Sequence, residues 1–245
     1  MHSETGTMMR EGVPSIMNPD DKLGLELALQ LKDAHGAEVT VITMGPLQAE
    51  AILREALAMG VDRAILLTDR KFAGADTLAT SHALAGALRY LPHELILAGR
   101  QAIDGDTAQV GPQIAELLDL PQVSCVEEIT YSGNSELIVK KQTEEGYQKL
   151  ALDLPCLLTV VSAGLRPRYM SVRGIVAAYD REVETWDADR IAVDEEKLGL
   201  KGSPTKVAKT FHKGLKASGK SLELEPEAAV EAIMSALKEN LLFSL

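Results

Sequence analysis

Short apolar runs alternate with segments of helical periodicity along the first half of the chain, which predicts strands and helices in turn. Strands that alternate with helices form a parallel sheet with helices on both faces, so we expect a doubly wound, mostly parallel α/β fold. In such a sheet, ligands bind at the carboxyl ends of the strands. The predicted helices run from about Asn18 to Gly36, over 47–59 and over 77–90, and the predicted strands cover 37–43, 63–67 and 94–99.

After residue 120 the pattern changes to strand-like segments. We expect strands at 123–130, 136–142, 147–152 and 156–161, with the second and third joined as a β-hairpin through the turn at 143–146. These strands extend the sheet without a separate domain boundary.

The last part of the chain has a weaker pattern. A short helix is expected at 174–179, and the charged, glycine-dotted residues 180–225 are expected to form an extended arm. Apolar residues recur on one face of an amphipathic helix at 226–242. The predicted organisation is an α/β domain over 1–186, followed by a C-terminal arm and helix over 187–245.

A polar, glycine-containing loop at 99–112 joins the third predicted strand to the next helix. Asp106 and Gln109 stand at capping-box spacing, which predicts that this helix begins near Thr107. Gly105 lets the backbone approach a ligand, and the free N–H groups of a helix start bind phosphate. A nucleotide site and an ordinary capped turn both fit, because Gly and Asp are common in either. Neither usual glycine-rich phosphate motif is present.

A second loop of small residues, Gly74 to Thr80, opens the following helix. Asp76 suits the N-cap position, so a capped helix start is again the simpler interpretation. We expect this loop at the same strand edge as loop 99–112, together with Met44 and Gly45. Two helix starts aimed at one ligand would suit a pyrophosphate.

The chain carries a formal net charge of −11, and 46% of its residues are apolar, which is ample for a buried core. The acidic balance disfavours a nucleic-acid partner, because neutralising phosphates needs a basic surface. The absence of a membrane-spanning apolar run or a leader predicts a cytoplasmic protein without membrane insertion. Cys125 and Cys156 lie in apolar runs, which favours buried free thiols. No nucleophile or metal motif occurs, so no catalytic residue and no metal site is predicted.

Three segments together resemble the β subunits of electron-transfer flavoproteins. GRQAIDGDTAQVGP at 99–112 closely resembles the adenine-nucleotide motif of that family, which wraps the phosphates of FAD or AMP. REGVPSIMNPDDK at 10–22 is similar to the N-P-x-D segment beside the adenosine, and VITMGP at 41–46 fits the spacing. The resemblance extends from about residue 4 to about residue 186. It implies an electron-transfer subunit whose chemistry belongs to a flavin.

The resemblance implies FAD as the cofactor, with AMP as the alternative. GADTLAT at 74–80 looks like the form of the family that holds a complete FAD. The family motifs imply cofactor contacts from Asn18, Pro19, Asp20, Asp21, Met44, Gly99, Arg100, Gln101, Ala102, Ile103, Asp104, Gly105, Asp106, Thr107, Ala108, Gln109 and Val110. To these we add Gly45 and, for the FAD form, Gly74, Ala75, Asp76, Thr77 and Thr80.

The resemblance also implies partners. The C-terminal extension would embrace an α subunit, and loop 164–173 would dock a flavoprotein dehydrogenase of the acyl-CoA or hydroxy-acid type. NADH would donate the electrons, which a bifurcating complex divides between the dehydrogenase and ferredoxin or flavodoxin. On its residues alone, loop 164–173 also fits a solvated loop whose arginines offset an acidic surface. The residues matched to docking are Leu165, Pro167, Arg168 and Tyr169.

Two alternatives stay open. In the first, the nucleotide is a structural AMP and the chain acts as a scaffold. In the second, the chain is a free-standing adenine-nucleotide sensor. A sensor would need neither the docking loop nor the C-terminal arm.

The strand with which these β subunits usually begin has no counterpart in residues 1–17. We therefore expect an exposed strand edge.

Overall fold

The computed structural model describes residues 15–161, 164–208, 219 and 221–239. The chain divides into two compact units between Ala208 and Lys209. The helices of the first unit are α1 (Pro19–His35), α2 (Glu50–Met59), α3 (Thr77–Leu88), α4 (Val110–Leu118), α5 (Val172–Asp180) and α6 (Ala188–Ile191), with short 3-10 turns at Leu47–Ala49, Arg70–Phe72 and Glu195–Lys197. Its strands are β1 (Thr40–Met44), β2 (Arg63–Leu67), β3 (Leu95–Gly99), β4 (Gln122–Gly133), β5 (Glu136–Thr143), β6 (Gly146–Asp153), β7 (Cys156–Val160) and β8 (Glu184–Trp186).

The predicted alternation of helices and strands is confirmed through α4, and local signals explain where the elements end. Pro19 opens α1, where its missing N–H is no loss because the first N–H groups of a helix have no partner. Gly36 closes α1 with a φ of 73°, in the left-handed region that glycine adopts without strain. The short helix expected at 174–179 is longer and occupies α5.

The strands form two sheets instead of one. In the first, β1, β2 and β8 pair in parallel. In the second, β3, β7 and β4 pair in parallel, and β4, β5 and β6 continue as antiparallel neighbours. The mixed α/β class and the β5–β6 hairpin are therefore confirmed. Strands β1 and β3 lie at sheet edges, and their residues are more exposed than those of β2 and β7.

The largest cluster of buried apolar side chains spans both sheets, with members from β2 and β7. Trp186, Ile191 and Leu198 belong to it, and each is at most 2% exposed. The expectation of an extended segment over 180–225 is therefore wrong for residues 184–198. Charged residues separate the apolar ones in this stretch, so it shows no regular period along the sequence.

The second unit contains α7 (Pro226–Glu239), within the helix predicted at 226–242. Residues 187–208, which the sequence assigns to the arm, belong to the first unit. Residues 209–218, 220 and 240–242 of the predicted arm and helix lie outside the described residues, as do residues 10–14 of the N-terminal motif. Contact between the C-terminal segment and a partner stays a prediction.

Cys156 is buried, as expected, whereas Cys125 is only half-buried, and both are free thiols. Burial raises the pKa of Cys156 to about 11, so this thiol stays protonated at neutral pH. In the described part of the chain, no group of His, Cys, Asp and Glu is arranged to hold a metal ion. None of the described helices combines the length and the apolar character needed to cross a bilayer.

Candidate functional site

The start of α1 is fastened to the loop that follows β3. Nδ2 of Asn18 donates to the carbonyl oxygen of Gln101 at 2.9 Å, and Oδ1 accepts the N–H of Ile103 at 3.1 Å. Asp21 accepts the N–H of Gly99 at 2.6 Å. Asn18 stands at the N-cap position of α1 but makes no capping hydrogen bond to the helix. The amide of Asn18 therefore links two of the segments that carry the sequence motifs.

Two glycines of this loop differ in what requires them. A Cβ at Gly99 would lie 2.6 Å from the backbone nitrogen of Asp21 and 2.8 Å from the carbonyl carbon of Asp20. The close packing of α1 therefore requires glycine at this position. A Cβ at Gly105 would meet nothing within 4 Å. The protein itself therefore leaves the space beside the Gly105 backbone open.

Helix α4 begins at Val110, so the predicted start near Thr107 is wrong. Asp106 and Ala108 have φ angles of 51° and 55°, in the left-handed region that interrupts a right-handed helix. The Asp106 carboxylate accepts a hydrogen bond from the Gln101 side chain instead of capping α4. The capping-box spacing was misleading because Asp106 has a partner within the loop.

The first turn of α4 is open. Gln109 takes the N-cap position without a side-chain hydrogen bond to the helix. Within the described residues, the N–H groups of Gln109, Val110 and Gly111 have no hydrogen-bond partner. Residues 102–109 of the preceding loop are exposed. Gln109 is exposed, Val110 is half-buried and Gly111 is buried. An uncapped helix start carries partial positive charge, and such starts bind anions such as phosphate.

The start of α3 is closed by side chains. The helix begins at Thr77, as predicted, and its N-cap Asp76 accepts the N–H of Ala79 at 3.0 Å. The other carboxylate oxygen accepts the N–H and the hydroxyl of Thr205 at 3.1 and 2.7 Å. Burial acts to raise the pKa of Asp76, but these hydrogen bonds outweigh it, so the pKa lies below its ordinary value.

Sequence reasoning missed Ser203 and Thr205. Ser203 Oγ accepts the backbone N–H of Asp76 at 2.8 Å and donates to the carbonyl oxygen of Gly199 at 2.8 Å. Ser203 and Asp76 are 127 positions apart, and no motif or period connects them. The available signal was the pair of glycines, Gly199 and Gly202, which mark a tight turn in the segment interpreted as an arm.

The starts of α3 and α4 lie side by side. Thr77 Oγ1 donates to Gln109 Oε1 at 2.8 Å. The Ser81 hydroxyl is buried between the two helices, 2.7 Å from the carbonyl oxygen of Thr77 and 2.9 Å from Gln113 Oε1. The structure therefore brings together loops 74–80 and 99–110, which the sequence placed at one edge of the fold.

Met44 and Gly45 lie at the carboxyl end of β1, where the N–H of Gly45 donates to the carbonyl oxygen of Leu67 at 3.0 Å. The Met44 side chain is half-buried against the core. Among the described residues, no hydrogen bond joins Met44 or Gly45 to the two loops, and their contact with a ligand stays a prediction. At the start of α1, Asp20 forms an ion pair with Arg100 at 3.7 Å.

Arg168 of the predicted docking loop is held by the protein itself. Its guanidinium and N–H donate to the carboxylate of Glu26 at 2.9 to 3.1 Å, and the guanidinium also donates to Asp33 at 2.8 Å. Glu26 is 5% exposed. Burial acts to raise the pKa of Glu26, but the hydrogen bonds from Arg168 outweigh it and lower the pKa. This pair fastens the loop to α1.

An apolar surface follows Arg168. Of the four predicted docking residues, Leu165, Pro167 and Arg168 are half-buried, whereas Tyr169 is 98% exposed. Helix α5 packs on α2 through its other side, where Ala178 is buried. Several exposed apolar side chains follow Arg168 along the chain, and exposed apolar patches are common where proteins bind one another. The most exposed of these side chains are Tyr169, Val172, Val176 and Tyr179.

Known proteins are similar to this chain over most of its length. Residues 5–191 match the family model of the electron transfer flavoprotein domain. The chain is 55% identical over 235 residues to the electron transfer flavoprotein subunit beta of Clostridium acetobutylicum, which covers 96% of this chain and 90% of that protein. It is 49% identical over 240 residues to the caffeyl-CoA reductase-Etf complex subunit CarD of Acetobacterium woodii, with 97% and 91% covered. It is 44% identical over 250 residues to protein FixA of Azotobacter vinelandii, with 97% and 88% covered.

Proposed function

The chain belongs to the electron transfer flavoprotein family, and we propose that it acts as a β subunit that binds FAD and passes electrons within a complex. In this proposal an α subunit completes the electron-transferring unit, and NADH supplies the electrons. The complex divides them between a flavoprotein dehydrogenase of the acyl-CoA or hydroxy-acid type and a low-potential acceptor, ferredoxin or flavodoxin. The name of the Acetobacterium woodii relative, a reductase-Etf complex subunit, supports assembly with a reductase.

The observation that carries this proposal is the open start of α4 beside Gly105. The free N–H groups of Gln109, Val110 and Gly111 form a donor set that fits phosphate oxygens. The open space at Gly105 leaves room for those oxygens to reach the backbone. The donors and the open space together support the proposed phosphate site.

A pyrophosphate, and therefore FAD, fits better than a single phosphate because α3 begins next to α4. The Thr77 and Thr80 hydroxyls lie in the first turn of α3, so this helix adds polar groups beside the open start of α4. When bound, FAD supplies the redox chemistry, while this chain holds and orients the nucleotide.

A structural AMP is the second candidate. It is favoured because the start of α3 is already capped: the N–H of Ala79 donates to the Asp76 carboxylate and is not available to a ligand. With fewer backbone donors at α3, a ligand with one phosphate on α4 would satisfy the site. In that case the chain is a scaffold and the flavin belongs to the α subunit.

The docking part of the proposal rests on the loop after Gly164. The ion pair between Arg168 and Glu26 fixes the loop on α1, which leaves Tyr169 exposed beside the apolar face of α5. A surface fixed in advance loses less conformational freedom when a partner binds. We assign this surface to the flavoprotein dehydrogenase.

The test is to co-express the chain with its α subunit, denature the purified complex, and identify the released nucleotides by absorbance and mass. Release of FAD in molar excess over heterodimer, without AMP, is the expected result. Release of AMP beside FAD would assign the scaffold role to this chain. A complex that releases no adenine nucleotide from the β subunit would contradict the proposed site.

A further inference from the structure

We propose that Ser203 and Thr205 are positioning residues for nucleotide loop 74–80, and that retention of FAD depends on them. This inference rests on the proposed function. Both residues lie in the segment 198–205, here called the strap, which follows α6 and returns to the site. The strap lies beyond residues 5–191, the span that matches the family domain.

The strap rests on the chain that leads into loop 74–80. The N–H of Leu200 donates to the carbonyl oxygen of Ala73 at 3.0 Å, and the Leu200 side chain lies against Gly74. Gly199 approaches Lys71 so closely that a Cβ would lie 2.2 Å from its carbonyl oxygen. Glycine is required at 199 for this contact, because its φ is also 53°.

The end of the strap fixes Asp76 at both its backbone and its side chain. Ser203 Oγ accepts the Asp76 N–H, and Thr205 donates its N–H and its hydroxyl to one carboxylate oxygen. The remaining oxygen caps α3 through Ala79. With partners on both oxygens, the Asp76 carboxylate has one orientation, and the first turn of α3 is fixed with it.

This arrangement matters for an anionic ligand. The first turn of α3 adjoins the open start of α4 through the Thr77–Gln109 hydrogen bond. A carboxylate released from Thr205 would be free to turn toward bound phosphates and repel them. The strap therefore orders the loop and also keeps the negative charge of Asp76 engaged.

Thr205→Val removes the hydroxyl that donates to Asp76 while keeping the size of the side chain. In the complex with the α subunit, we expect the Kd for FAD to rise about tenfold to a hundredfold. This corresponds to the loss of one hydrogen bond to a charged group. Thr205→Ser keeps the hydroxyl and is expected to stay within about threefold of the parent. The matched control is Thr130→Val, an exposed strand position far from the loop in sequence.

Equilibrium dialysis of the purified complexes against FAD measures the Kd, and hydrogen exchange of residues 74–80 reports the order of the loop without relying on activity. Ser203→Ala serves as a second variant and is expected to act in the same direction. A Thr205→Val complex that binds FAD like the parent, or a Thr205→Ser complex as weak as Thr205→Val, would overturn the positioning role. A parent complex without FAD on this chain would instead overturn the proposed function, and this inference with it.

Discussion

The two helix starts at the candidate site are built in opposite ways. At α3, one Asp76 carboxylate oxygen caps the helix through the N–H of Ala79, and the other is held by Thr205. At α4, Gln109 makes no cap and three N–H groups have no partner among the described residues. The closed start lowers the free energy of the folded protein, whereas the open start leaves donors available to a ligand. In the proposed site, this contrast assigns phosphate binding to α4 and support of the loop to α3.

The largest expected effect on stability follows from overfilling the close contact between Gly99 and the start of α1. Gly99→Ala places a Cβ against the backbone of Asp20 and Asp21, which cannot move without displacing α1. We expect a loss of about 1–3 kcal/mol in the free energy of unfolding, the usual range for overpacking. Urea denaturation measures it. The control is Gly105→Ala, whose Cβ enters open space and should change stability by less than about 0.5 kcal/mol.

The contrast between the two caps is tested directly by removing each N-cap side chain. Asp76→Ala removes the cap of α3 and leaves Thr205 without its acceptor, so we expect a loss of about 2 kcal/mol in stability. Gln109→Ala removes no capping hydrogen bond and loses only the exposed hydrogen bond from Thr77, so it should cost less than about 1 kcal/mol. Thermal denaturation of both variants measures the difference. Equal losses would show that α4 is capped as α3 is.

Local sequence signals correctly predicted the N-cap of α3 but not the residue at which α4 begins. Asp76 was predicted as an N-cap from its own neighbourhood, and the structure confirms it, because a cap bonds to the next turn of the same helix. Asp106 was predicted to cap α4 from its capping-box spacing to Gln109, but its carboxylate accepts a hydrogen bond from Gln101, which the spacing could not show. The strap was out of reach because Ser203 and Thr205 meet Asp76 only after the chain has folded.

The same limit explains what was right and wrong in the fold. Apolar periodicity correctly identified the helices and strands through α4, since each has its own pattern. The division of the strands into two sheets depends on which strands become neighbours, and no single segment encodes that. Trp186 has charged neighbours in the sequence, and its place in the core likewise depends on which elements become neighbours. Only the folded arrangement shows that this stretch is buried.

The open start of α4 predicts a variant that binds nucleotide poorly and folds well. Gly105→Val fills the empty space beside the loop backbone, so FAD affinity of the complex should fall at least about tenfold while the denaturation midpoint hardly changes. Gly105→Ala should lie between the parent and Gly105→Val, because the obstruction grows with the side chain. Nucleotide content after purification is the measurement. Full nucleotide content in Gly105→Val would show that the assignment of the 99–110 loop is wrong.

The smallest expected effect is the pH dependence of the stability that Asp76 contributes at the start of α3. The pKa of Asp76 is lower in the folded protein than in the unfolded chain, so the unfolded chain takes up the proton first on acidification. The stabilisation is therefore complete above the ordinary aspartate pKa of about 3.9 and is lost as pH falls through the lower folded value. Asp76→Asn lacks this titration, so its deficit in stability against the parent should shrink between about pH 6 and about pH 3. Paired urea denaturation at both pH values measures the deficit. A deficit that stays constant or grows on acidification would mean that the Thr205 and Ala79 hydrogen bonds do not favour the ionised form of Asp76.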